Sequence, residues 1–237
     1  MSAVQALEIG LRTKVAYHLS KHGPMAHLDE SALDQAECRT LSSGPDSDGT
    51  KYETWRREYD KLQANSRNEE YVKHFLVKYN GHVPIWAAGE FMTMGCLIGL
   101  YRLMTSTDAG RIATELGVKN KDVLFGWLKA LNVTRNHCAH NARIWNRSTT
   151  YPPDRINIRM VEPELQHLLS ADTDRIYFLV AVLAHLLRRV DPNSRFPSDF
   201  RTLMGKFPVV LGMTPENSMG FVEGWRDEEI WRVSSQP

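Results

Sequence analysis

Residues 131–147 read L-N-V-T-R-N-H-C-A-H-N-A-R-I-W-N-R. Turned through about 100° per residue, Leu131, Cys138, Ala142 and Trp145 line up as an apolar stripe, and Asn136, His140, Arg143 and Arg147 share a narrow arc on the other side. The pattern predicts a helix from Asn132 onward with one face on a core and one in water, and with it an all-α fold. Chemistry concentrates in the same residues. Arg135 offers a permanent positive fork that matches two phosphate oxygens, and His140 a group able to move a proton near neutral pH. Together they suit a phosphodiester, the histidine taking a proton from a ribose 2′-hydroxyl or giving one to a leaving oxygen. Five residues is not a same-face spacing, because Arg135 falls about 140° round the helix from His140. Arg135 must therefore reach round, sit on a distorted turn, or act across a subunit interface.

Upstream, the apolar period remains helical. Val4–Ser20, Ser31–Cys38, Trp55–Asn65, Glu69–Tyr79, Thr107–Leu116 and Lys121–Leu131 each read as helices, and Pro84 opens a run to Met104 that is expected to be one central, most buried helix. Leu41–Thr50, rich in Ser, Gly and Asp, reads as an exposed loop. Downstream, Glu162–Leu169 and the apolar Asp174–Val190 are expected to close a bundle over residues 1–190. Residues 191–237, punctuated by Pro192, Pro197, Pro208 and Pro215, read as a partly irregular extension with one short helix and frayed last residues. No alternating strand pattern of any length is present.

The chain has 237 residues, 42% of them hydrophobic, and a formal net charge of +1, with 29 basic residues against 28 acidic. That balance excludes a protein that coats nucleic acid by global charge, so any RNA contact must come from a local patch. Cys38, Cys96 and Cys138 have no metal-like spacing and predict reduced thiols, hence a cytoplasmic protein without a secretion signal. Glu90 and Arg102 interrupt the most apolar run, which argues against a membrane span. His137 and Cys138 lie beside His140, but no second ligand cluster accompanies them, so neither a metal nor another cofactor is expected.

Residues 135–147, R-N-H-C-A-H-N-A-R-I-W-N-R, resemble the R-N-x-x-A-H-x-x-R-L-W-N-R signature of the Abi-like proteins, an abortive-infection group of bacterial phage-resistance proteins. Three further blocks fit in order. Leu7-Glu8-Ile9-Gly10-Leu11-Arg12 resembles the I-E-x-x-L-R helix of that family, His74-Phe75-x-x-Lys78-Tyr79 its H-F-x-x-K-Y segment, and Pro84-Ile85-Trp86-Ala87-x-x-Glu90 its P-x-W-x-x-x-E segment. Ile144 stands where leucine is usual, a change of packing only. Family members carry a further segment ahead of the I-E-x-x-L-R helix. A shortened amino terminus, an alternative start and a domain piece all fit this chain.

The resemblance implies similarity to the HEPN superfamily: an all-α, HEPN-like helical bundle, commonly a homodimer, and often a metal-independent RNA endonuclease built on R-x4-6-H. On that reading Arg135, Asn136 and His140 are the catalytic set, while Arg143, Arg147 and His137 face RNA. Two other readings compete. One is an RNA-binding or toxin-partner module, with RNA as substrate or as a restraining non-coding strand; the other is a helical protein whose motif serves dimerisation. Residue by residue, His140 has a core or interface histidine as its rival role, and Arg135 an ion-pair partner. Trp145 reads as a core anchor, Glu8–Arg12 as a helix ion pair, and Glu90 as a buried acid requiring a partner such as a motif arginine.

Overall fold

A computed structural model describes residues 2–43, 48–208 and 210–232. Among these the fold is all-α, with extended residues paired only at isolated bridges. The Ser-Gly-rich loop and the frayed end expected from the sequence fall partly or wholly outside the described residues, at 44–47 and 233–237. By its contacts the chain divides into two compact units, Glu8–Ile112 and Met1–Leu7 with Ala113–Pro237.

The first unit takes α1 (Ser2–Ser20) from Glu8 onward, then α2 (Gln35–Arg39), α3 (Lys51–Asn65), α4 (Glu70–Lys78), α5 (Ile85–Phe91), α6 (Met94–Leu103) and most of α7 (Ser106–Glu115). A capping box between Thr50 and Glu53 starts α3 a turn earlier than the apolar period suggested. Helix α3 packs on α2 and α6, where the Trp55 indole donates to the Cys96 carbonyl at 3.0 Å. The single helix expected over Pro84–Met104 is two. Met92 and Thr93 are extended, and the Thr93 hydroxyl caps α6 by accepting from the Cys96 N–H at 3.1 Å. A threonine inside an apolar run was an N-cap in disguise.

Arg12 ties two of the family-like blocks together, bonding Glu8 at 3.2 Å and Glu90 at 3.5 Å. Its stem crosses Gly89, where an added Cβ would lie 2.9 Å from Arg12 Cγ. Glu90 is thus neither buried nor paired with a motif arginine. Its side chain is 59% exposed and its partner is Arg12. At the start of α7, the buried Asp108 carboxylate accepts from His22 at 2.8 Å and from Thr105 at 3.0 Å. Burial alone would push this carboxyl up, but those two bonds outweigh it and hold it below the usual range.

The second unit is built on α8 (Lys121–Ala139) and α9 (Ile176–Val190), followed by α10 (Phe196–Met204), α11 (Pro215–Met219) and 3-10 turns at Pro163–Ser170, Trp225–Asp227 and Glu229–Trp231. The sequence split α8 at Leu131; it is continuous from Lys121 into the motif. Helix α9 is buried over most of its length and packs on α8, with the Trp127 ring edge-on to Phe178 at 6.5 Å and to His185 at 6.4 Å. Tyr177, Phe200, Phe221, Trp225 and Trp231 form one aromatic cluster that holds the 191–232 segment to this core. No helix among the described residues is long and apolar enough to cross a membrane.

Candidate functional site

Helix α8 ends inside the motif, and its end determines where every motif side chain lies. His140 is the C-cap. Asn141 adopts the left-handed conformation at φ 53°, its N–H donates to the Cys138 carbonyl at 3.1 Å, and the Ala142 N–H donates to the His137 carbonyl at 2.9 Å. Those two bonds make a Schellman stop, with asparagine in the position where glycine is commonest because its short polar side chain tolerates the left-handed region. The helix expected to run through Arg147 therefore closes eight residues earlier in the chain, and Arg143, Trp145 and Arg147 lie beyond it. Asn141 was the missed signal: an asparagine followed by an apolar residue at the end of a helical period.

With the helix ended, the apolar stripe dissolves. Leu131 is buried, Cys138 and Ala142 are half-buried, and Trp145 is 38% exposed. The expected core anchor is instead a surface ring with the Arg143 guanidinium 5.8 Å from its centre, a contact worth about 0.5–1 kcal/mol at an exposed position.

The Arg135 Nη1 donates to Asn136 Oδ1 at 3.1 Å, and Asn136 stands one helical turn before His140 on α8. Asn136 and His140 are exposed and Arg135 is half-buried. His137 and Arg147 share a separate small cavity of about 20 Å³, lined also by Thr134, Ile144, Thr149 and Asp174, with room for about one water. The six predicted site residues thus fall into three groups: Arg135, Asn136 and His140 at the helix end, His137 and Arg147 in the cavity, and Arg143 on Trp145.

Among the described residues, Arg135, Arg143 and Arg147 form no ion pair with a carboxylate. Asp174 lines the cavity without an ion pair to Arg147, and its backbone carbonyl accepts from the Thr149 N–H at 2.7 Å. Three guanidiniums without a carboxylate partner thus follow one another between residues 135 and 147, a local concentration of positive charge on a chain of net charge +1. Helix carbonyls converge at a C-terminus and repel anions, so a phosphate bound here is held by side chains and not by backbone amides. Among the described residues no three His, Cys, Asp or Glu side chains are grouped to hold a metal ion.

The model of the Abi-like protein family matches residues 1–146, which spans α1 to the motif. The chain belongs to the Abi-like protein family. Membership implies a part in abortive-infection defence against phage. No curated protein and no solved structure matches the chain. The match takes in Arg135, Asn136, His137, His140 and Arg143 and stops one residue short of Arg147.

Proposed function

We propose that this Abi-like protein is a metal-independent RNA endonuclease of the HEPN type, acting as a homodimer with Arg135, Asn136 and His140 as its catalytic set. The observation that carries the reading is the state of Arg135: it has no carboxylate partner among the described residues and is bonded only to Asn136, the residue one turn before the exposed His140. An arginine in that state keeps N–H donors for a phosphate. Its structural rival, an ion-pair arginine, lacks the acid it requires.

Cleavage by this route needs two proton carriers. The 2′-oxygen attacks phosphorus while one imidazole takes its proton. The bond to the 5′-oxygen breaks as a second imidazole gives that oxygen a proton, leaving a 2′,3′-cyclic phosphate and a 5′-hydroxyl. Arg135 stabilises the charge that builds on the phosphorane oxygens. Each α8 end carries one His140, so two copies related by a two-fold axis supply the pair. His137, Arg143 and Arg147 then hold flanking phosphates. Abortive infection follows directly, since cutting host or phage RNA stops phage multiplication.

The competing reading is RNA binding without cleavage, with a restraining non-coding strand as ligand. It is favoured by the small size of the cavity that His137 and Arg147 line, which holds about a single water. The test compares wild type with His140→Ala on total RNA in EDTA, reading the ends produced. Cyclic-phosphate ends from the wild type, and a loss of 10²-fold or more in the variant, are expected from the removal of a general acid–base. A dimeric wild type that binds RNA and leaves it intact sinks the endonuclease in favour of the binding module.

A further inference from the structure

Helix α4 and the turn after it are unusually open for so apolar a segment. Of α4 only Val72 is fully buried, while Val77 is 87% exposed and Tyr79, the residue that ends the helix, is 44% exposed. Placed at about 100° per residue, His74, Lys78, Tyr71, Phe75 and Tyr79 follow one another round an arc of some 140°, so two bases flank three rings on one face. The rings touch: His74 stands edge-on to Phe75 at 5.5 Å and Phe75 packs on Tyr79 at 5.6 Å, with the Lys78 ammonium 5.9 Å from the Tyr79 ring.

Trp86 of α5 is the next exposed apolar ring along the chain. Trp86 is 53% exposed and lies one helical turn before Glu90 on the same side of α5. The Glu90 carboxylate in turn stands close enough to Tyr71 to add to burial in pushing that phenol up. Glu90 is held by Arg12 at 3.5 Å. From residue 71 to residue 88 the chain has Lys73, Lys78, His74 and His82 and no carboxylate at all, although Glu69 and Glu70 precede it.

We infer that this face, formed by the exposed rings of Tyr79 and Trp86 and the half-buried Phe75 with His74 and Lys78 beside them, is a stacking platform for single-stranded RNA. The inference rests on the reading of the chain as an RNA-acting protein and adds to it a binding surface in the Glu8–Ile112 unit. Every base has a π-face, so exposed rings hold unpaired bases while Lys78 beside them takes a phosphate. A protein partner fits less well, because the buried centre of a protein interface is depleted in lysine, and here Lys78 stands within the ring arc. Duplex RNA fits poorly too, its bases being already stacked.

The test uses the full chain carrying His140→Ala, so that RNA survives, and a fluorescein-labelled unstructured 20-nucleotide RNA read by anisotropy. Tyr79→Ala and Trp86→Ala are each expected to weaken binding about 5-fold to 100-fold, Tyr79→Phe and Trp86→Phe to restore it, and Lys78→Ala to flatten the slope of log K against log salt by about 0.7. The labelled RNA annealed to its complement is expected to bind without sensitivity to the rings. Unfolding curves matching the parent show that the alanine variants remain folded. RNA affinity unchanged in both ring variants overturns the platform and leaves the face to a protein, and an absence of RNA binding by the parent overturns it equally. Ring-dependent binding by a wild type that never cleaves keeps the platform and removes only the endonuclease.

Discussion

Replacing His185 by leucine should destabilise the second unit by about 3–5 kcal/mol, the cost of leaving a carboxylate and a buried carbonyl without their shared donor. His185 has no exposed side-chain surface. Its Nδ1 bonds Glu164 at 2.5 Å and its Nε2 bonds the Gly117 carbonyl at 3.0 Å. The same carboxylate meets Arg188 at 3.3 Å, and the His185 bond, with help from Arg188, holds Glu164 below the usual range against the burial that would raise it. Leucine nearly fills the volume but strands the carboxylate with Arg188 alone and leaves the Gly117 carbonyl without this donor. A lost hydrogen bond to a charged group costs about 1.5–3 kcal/mol, and an orphaned neutral acceptor adds about 1–3. The assay is urea unfolding followed by tryptophan fluorescence, since Trp127 lies 6.4 Å from the His185 ring and reports its surroundings. Glu164→Leu in the same chain should recover part of the loss, with a coupling of about 0.5–3 kcal/mol. A loss below about 1 kcal/mol, or strict additivity of the two changes, refutes the network as a stabilising unit.

The remaining predictions concern turns and titration. Gly117 is left-handed at φ 72°, and an added Cβ there would lie 2.8 Å from both His185 Nε2 and Arg189 Nε. Gly117→Ala should therefore cost more than the roughly 1–2 kcal/mol of backbone strain alone, as read by the same unfolding curves. Asn141→Gly should leave stability unchanged or raise it by up to about 1 kcal/mol, whereas Asn141→Val should lose about 1–2; equal effects would show that the helix does not end where the Schellman bonds place it. His27 is buried against Tyr59 and its pKa is lowered to about 3, by burial first and then by the Arg56 and His82 charges. Its folded value lies below its unfolded one near 6.5, so the unfolded chain binds the extra proton. Stability should fall as pH drops below about 6.5, by at most about 1.4 kcal/mol per pH unit, and His27→Phe should flatten that slope between pH 6 and pH 4.

What the sequence made legible was periodicity, and what it hid were the interruptions. Leu7, Leu11, Val15 and Leu19 are all fully buried, as their spacing on α1 required. The apolar period of Asp174–Val190 likewise became the buried α9. Periodicity misled where a capping residue was also a tolerable helix residue. Thr93 broke one expected helix in two and Asn141 cut another short, because a side-chain cap or a left-handed turn wins locally without disturbing the apolar pattern on either side. In the motif, proximity along the chain was readable and direction was not. Arg135 turning toward Asn136 is a rotamer, and Trp145 lying on the surface follows from a helix that ends at Ala139, well before it.

Where α8 stops has a consequence for the proposed chemistry. A motif helix continued to Arg147 would have set Asn136, His140, Arg143 and Arg147 in one rigid row and pointed that row at a single phosphate backbone. With the stop at Ala139, His140 caps the helix while Arg143 and Arg147 hang from a chain with a second left-handed turn at Asn146, φ 47°. The fixed part of the site is then small, Arg135 with Asn136 and His140, and it holds one proton carrier. The reaction requires two, placed on opposite sides of phosphorus. A second imidazole from the same chain would have to be His137, which lies about 60° round the helix from His140 and lines a cavity with Arg147. A second copy supplies an equivalent His140 with its own Arg135. It also brings two sets of unpaired guanidiniums together, a repulsion that a bound polyanion relieves. Dimerisation and RNA binding are for that reason thermodynamically linked on this reading, each favouring the other by the same free energy.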